Sequence, residues 1–76
     1  MPNRKQKRPN WKRLRNSRKL IKQLERKGWY LHNSKGDHHH FKHNTEPGKV
    51  TVPHPKKDIA ISTLRRIYRQ AGWDWN

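Results

Sequence analysis

Apolar residues are sparse in this chain, and they fall into a few short patterns. Leu20, Ile21 and Leu24 stand at i, i+1 and i+4, with Lys19, Lys22, Gln23 and Arg26 on the other side. That narrow stripe predicts a helix. Ser17 opens it, since its hydroxyl can cap the first free backbone N–H groups, and Gly28 closes it where a left-handed residue is wanted. Near the other end, Leu64, Ile67, Tyr68 and Ala71 repeat the single stripe. This second helix is capped by Ser62 or Thr63 and ends at Gly72.

Between the helices the period changes to two. Trp29-Tyr30-Leu31-His32 reads as a strand, Trp29 and Leu31 on one face, Tyr30 and His32 on the other. Asn33-Ser34-Lys35-Gly36 is turn chemistry. A second strand runs from His38 to His43, and Asn44-Thr45-Glu46-Pro47-Gly48 suits a hairpin loop. Lys49-Val50-Thr51-Val52 is the third strand, stopped by Pro53 and Pro55, which cannot donate to a ladder. Residues 56–61 lead into the second helix, and Trp73 and Trp75 after it can fold back or stay exposed.

The order helix, three strands, helix defines an α+β class. Both helical stripes need an apolar partner, so both helices cover one face of a three-stranded antiparallel sheet. The chain has 76 residues, enough for one domain, and at 28% hydrophobic its core must be thin. Residues 1–16 carry many cations, no acid and no periodic apolar pattern, and are expected to be a disordered arm. Trp11 gives that arm a ring able to stack on a base. The domain then spans 17–76.

Charge narrows the function. Twenty Lys and Arg against five Asp and Glu give a net +15, which attracts polyanions, and phosphate backbones above all. No apolar run approaches the roughly 20 residues of a membrane span, and no apolar stretch follows the basic N-terminus as in a secretory signal. A cytoplasmic, monomeric protein without membrane contact is expected. There is no cysteine, hence no disulfide and no thiolate metal ligand.

The candidate chemistry lies in Gly36-Asp37-His38-His39-His40-Phe41-Lys42-His43. If Phe41 is buried, alternation puts His39 and His43 on its face and His38, His40 and Lys42 on the other. The helices cover the Phe41 face, so His38 stands open beside the glycine turn, with His40 two residues along. His39 is partly covered and more suited to orienting a neighbour. A register slip of one residue would exchange these roles. Imidazole, with an ordinary pKa of about 6.5, can take or give a proton near neutrality. Lys35, Lys42, Lys56 and Lys57 are the candidates to hold phosphates and steady the added charge of a phosphorane. RNA carries the 2′-hydroxyl that such a reaction uses and DNA does not. His38 and His40 could instead share a zinc, but no C-x-x-C or H-E-x-x-H spacing accompanies them, and five scattered acids make no magnesium site. No metal or cofactor is expected. Asp37 reads as a turn residue, and His54, between two prolines, as an RNA contact or a structural hydrogen bond.

Four motifs occur in order: Lys19-Leu20-Ile21 with Leu24-Glu25 and Gly28-Trp29; Gly36-Asp37-His38-His39-His40-Phe41; Val50-Thr51-Val52-Pro53-His54; and Thr63-Leu64-Arg65-Arg66-Ile67 with Arg69-Gln70-Ala71-Gly72. Together, over residues 17–73, they resemble the HicA toxins of bacterial toxin–antitoxin pairs. The resemblance implies a small fold like the double-stranded-RNA-binding domain. It implies a metal-independent mRNA interferase whose key histidine follows the glycine turn, here His38, with a HicB-type antitoxin covering the active face. Two positions depart from the family: Asp37 stands where serine is usual, and Ser62 where glycine is usual. Some relatives carry the histidine one residue later, which keeps His39 as the alternative, with His40 beside it. The competing readings are a non-catalytic double-stranded-RNA-binding module and a basic ribosome-associated or DNA-binding protein.

Overall fold

Five elements follow one another in the expected order. The computed structural model describes residues 14–75, with α1 at Ser17–Arg26, β1 at Trp29–Lys35, β2 at His38–His43, β3 at Val50–Pro53 and α2 at Ile61–Ala71. The sheet is antiparallel throughout, with β2 between β1 and β3.

The core follows from the sequence periods. Leu20 and Leu24 from α1 meet Leu64, Ile67, Tyr68 and Ala71 from α2 over Trp29, Phe41, Val50 and Val52 of the sheet. Both helices therefore cover one face. Ile59, in the connector, is fully buried with them. Trp73 and Trp75 fold back onto the core, each packing edge-on against Tyr68.

Three local expectations give way to tertiary demands. The cap of α1 is Asn16, whose Oδ1 accepts from the Arg18 and Lys19 N–H groups at 3.0 and 3.3 Å. Ser17 is instead the first helical residue and is turned inward, 1% exposed. Its hydroxyl is taken by the β3–α2 connector, as described below. The second helix begins at Ile61, two residues earlier than a Ser62 cap would start it, so Ser62 and Thr63 lie inside it. Ala60 is the N-cap and makes no side-chain cap bond. Finally, β1 runs on through Asn33, Ser34 and Lys35, leaving Gly36 and Asp37 as the turn, with Gly36 at φ +60°.

A bulge between Leu31 and Asn33 accommodates that extension. Leu31 pairs with Phe41 on the core face, yet it is 50% exposed. The helices reach only the Trp29 end of this edge strand. Past the bulge, Asn33 and Lys35 pair with His40 and His38.

The arm read over residues 1–16 lies outside the described residues as far as 13. Leu14 packs on the core, and Arg15 exchanges hydrogen bonds with Ile59: Ile59 N–H donates to the Arg15 carbonyl at 2.7 Å, and Arg15 Nε to the Ile59 carbonyl at 3.1 Å. Among the described residues no helix is long and apolar enough to cross a membrane.

Burial separates two substitutions on one cross-strand pair. Phe41→Ala is expected to cost about 3–5 kcal/mol, near the whole stability of so small a domain. Leu31→Ser should stay within about 0.5 kcal/mol. Urea unfolding of both variants checks this, and comparable losses would mean that the register is wrong.

Candidate nucleic-acid interface and acid–base site

Alternation along β2 sorts the histidines. Phe41 is buried, so His39 and His43 share the core face while His38 and His40 look away. The four rings then do four different things.

His43 is structural. Its Nδ1 accepts from the Thr45 and Glu46 N–H groups at 3.1 and 3.2 Å, so Nε2 carries the proton and donates to the Lys27 carbonyl at 2.9 Å. The ring also stands edge-on to Trp29. It explains Gly28 twice over: φ there is +95°, and a Cβ would lie 2.7 Å from His43 Nε2.

His39 is half-buried and edge-on to His54, ring centroids 5.0 Å apart. Its Nδ1 is buried and makes no hydrogen bond, so that atom orients no neighbour. His39 supports its surroundings by packing.

His40 is held by Thr51 of β3, Nδ1 lying 2.9 Å from Oγ1. Loss of hydration, together with Lys49, His38, His32 and His39 nearby, keeps its pKa below the ordinary histidine value.

His38 is the open one, its side chain 61% exposed. It sits directly after the Gly36-Asp37 turn. Asp37 Oδ1 is 3.8 Å from Nδ1, too long for a hydrogen bond. The Asp37 carbonyl accepts from His54 N–H at 2.8 Å, which fits a residue working for the turn. Around the ring lies a hollow of about 240 Å³, lined by Pro53, Lys56, Thr63 and Arg66 among others. Lys35 is the cross-strand partner of His38 on β1.

Of the four expected phosphate-holding lysines, Lys35 and Lys56 are therefore beside His38. Lys42 shares its face but stands four residues along the strand, about 13 Å away. Lys57 does not line this hollow; it lines a second one. Arg66, which sequence reasoning did not single out, joins the site from α2. Its only signal in the sequence is that it falls off the apolar stripe, inside the Thr63–Ile67 motif.

His54 proves to be a structural residue of another kind. Ser17 Oγ accepts from Lys56 N–H at 2.8 Å and lies 2.6 Å from His54 Nδ1. The hydroxyl keeps both its hydrogen and a second lone pair, so it can pair with Nδ1 in either tautomer of the ring. Ser17 N–H donates to the Lys56 carbonyl at 2.8 Å. Burial, with help from His39 and Arg18, holds the His54 pKa below its ordinary value. Among the described residues no three His, Asp or Glu side chains converge as metal ligands would.

Fold and site together define a small basic α+β domain that presents an exposed histidine, His38, among cations. The profile of a family described as "HicA toxin of bacterial toxin-antitoxin" matches residues 17–73, and the chain belongs to that family. No curated protein matches it.

The lowered values of His40 and His54 have a stability consequence. Below about pH 6.5 the unfolded chain binds protons on these rings that the folded chain resists, so stability falls as pH falls. The urea midpoint should drop between pH 7 and pH 5. The drop should be smaller in His54→Gln, which keeps a polar partner for the Ser17 hydroxyl. An equal drop in both proteins would remove His54 from the account.

Proposed function

We propose that this toxin is a metal-independent endoribonuclease of the mRNA interferase type, with His38 as a general acid or base. The observation that carries the reading is an exposed imidazole sharing a hollow with Lys56 and Arg66, at the end of the sheet where the connector and α2 meet β2 and β3. Cleavage needs little else from the protein. The ribose 2′-oxygen bonds to the adjacent phosphorus and the bond from phosphorus to the 5′-oxygen breaks. One proton passes from the 2′-hydroxyl to a base, and one passes from an acid to the departing 5′-oxygen. The products are a 2′,3′-cyclic phosphate and a 5′-hydroxyl.

His38 serves one of these transfers. His40 lies on the same side and, with its lowered pKa, is neutral at physiological pH and fit to accept a proton. His39 backs the strand from the core face. Lys56, Arg66 and Lys35 steady the phosphorane oxygens, while Lys42 and Lys57 hold phosphates farther along the strand. The substrate is mRNA, and its loss stops translation and growth. An acidic HicB-type antitoxin, matched to a chain of net +15, covers the His38 face and silences it.

Paired induction of wild type and His38→Ala tests this. Wild type is expected to arrest growth and fragment mRNA. The purified variant should fold, bind RNA and cut about 10²–10⁴-fold more slowly. EDTA should leave the wild-type rate unchanged. Cutting at the wild-type rate by the variant would transfer the role to His39 or His40, and inhibition by EDTA would overturn the metal-independent reading. Binding without any cleavage by wild type would make the protein a double-stranded-RNA-binding module.

A further inference from the structure

A second cationic hollow adjoins the His38 site, the two sharing Lys56. Its volume is about 310 Å³, and it is lined by Arg18 and Lys19 of α1 and by His54, Lys56 and Lys57 of the connector. Lys56 lines both hollows. The chain between them is held firmly. Ser17 bonds both His54 and Lys56 through its hydroxyl, and its N–H bonds the Lys56 carbonyl. The backbone that carries Lys56 is thus positioned by folding, before any ligand arrives.

The attraction comes from side chains. The Arg18 and Lys19 N–H groups at the start of α1 are already engaged by Asn16 Oδ1. Among the described residues no carboxylate lines the hollow. The neighbouring acid in sequence, Asp58, is paired with Arg15 at 3.0 Å, so it does not neutralise Lys57. Among the described residues, Arg18, Lys19, Lys56 and Lys57 form no salt bridge. Four cations around one concavity, linked by a shared lysine to a second concavity, match a ligand with anions repeated along a chain.

We propose that this hollow seats RNA phosphates flanking the scissile one, so that a single strand runs from the His38 hollow across Lys56 to Arg18, Lys19 and Lys57. The inference rests on the RNA reading above and deepens it. It makes the toxin a reader of strand length: a fragment too short to span both hollows forfeits the second set of contacts, and binding tightens once the strand reaches across. The shared-lysine geometry favours a flexible single strand, whose backbone can bend over the connector.

The test uses 2′-O-methyl RNA oligomers of four and twelve nucleotides, which cannot be cut by attack of a 2′-hydroxyl. Binding to the full chain is measured with wild type, Arg18→Gln/Lys19→Gln and His38→Ala, each checked for folding by circular dichroism and urea unfolding. For wild type and His38→Ala, the twelve-nucleotide oligomer should bind at least about tenfold more tightly than the four-nucleotide one. The double variant should lose most of that gain. Its slope of log K against log salt on the longer oligomer should shrink by about 1.4, the share of two phosphate contacts on a single strand. A length gain left intact in the double variant overturns the proposal. So does unchanged RNA binding with weakened binding of the purified antitoxin, which would assign the hollow to an acidic protein surface. These readouts do not depend on cleavage: if wild type cuts no RNA, the proposed reaction fails, while the two-hollow track stands or falls on binding alone.

Discussion

Phe41 sits at the middle of the central strand and is almost wholly buried, and that burial fixes which way every other side chain of β2 points. In a domain with so few apolar residues, no alternative register could bury a comparable side chain. His39 and His43 go to the core face, where they pack against His54 and Trp29. His38 and His40 go to the other. A strand of alternating direction thus divides one histidine run into rings that build and rings that remain available. The availability of His38 is a by-product of satisfying Phe41, which is why the two belong to one argument.

The second organising contact is the hydroxyl of Ser17. It joins the start of α1 to the segment after β3 by a donor, an acceptor and a backbone bond around one residue. Most buried polar atoms are paired, and the pairing of this hydroxyl places Lys56 at the boundary of both cationic hollows. Arg15, bonded to Ile59 and Asp58, continues the same seam. The connector between β3 and α2 is therefore a structural rail rather than a loose link.

These two constraints explain how a chain of net +15 folds at all. Like charges repel, and the core is thin. The cations are kept on the outside of α1, on the open sheet face and along the connector, where solvent screens them. Imidazoles fill the half-buried sites at the sheet end, since a neutral ring can enter where lysine cannot. His40 and His54 show this directly, both held toward the neutral form by their surroundings. The cationic surface and the folded core thus draw on different residue types, with histidine at the border.

Local pattern was enough for the element order, the helical stripes of the core and the side of β2 that each histidine takes. Those properties rest on local periods, 3.6 for the helices and 2 for the strands, which need no knowledge of distant segments. It left four things to the tertiary structure. Ser17, read as a cap, is drawn inward by His54, 37 residues away, and Asn16 caps in its place. Leu31 lies on the core face but no helix reaches it. Lys42 and Lys57 do not gather at His38, whereas Arg66 does. The pairing of hollows across Lys56 is visible only in three dimensions. Each depends on which remote segment arrives beside a given residue, and the packing of two helices and a connector on the sheet decides that; no spacing along the chain encodes it.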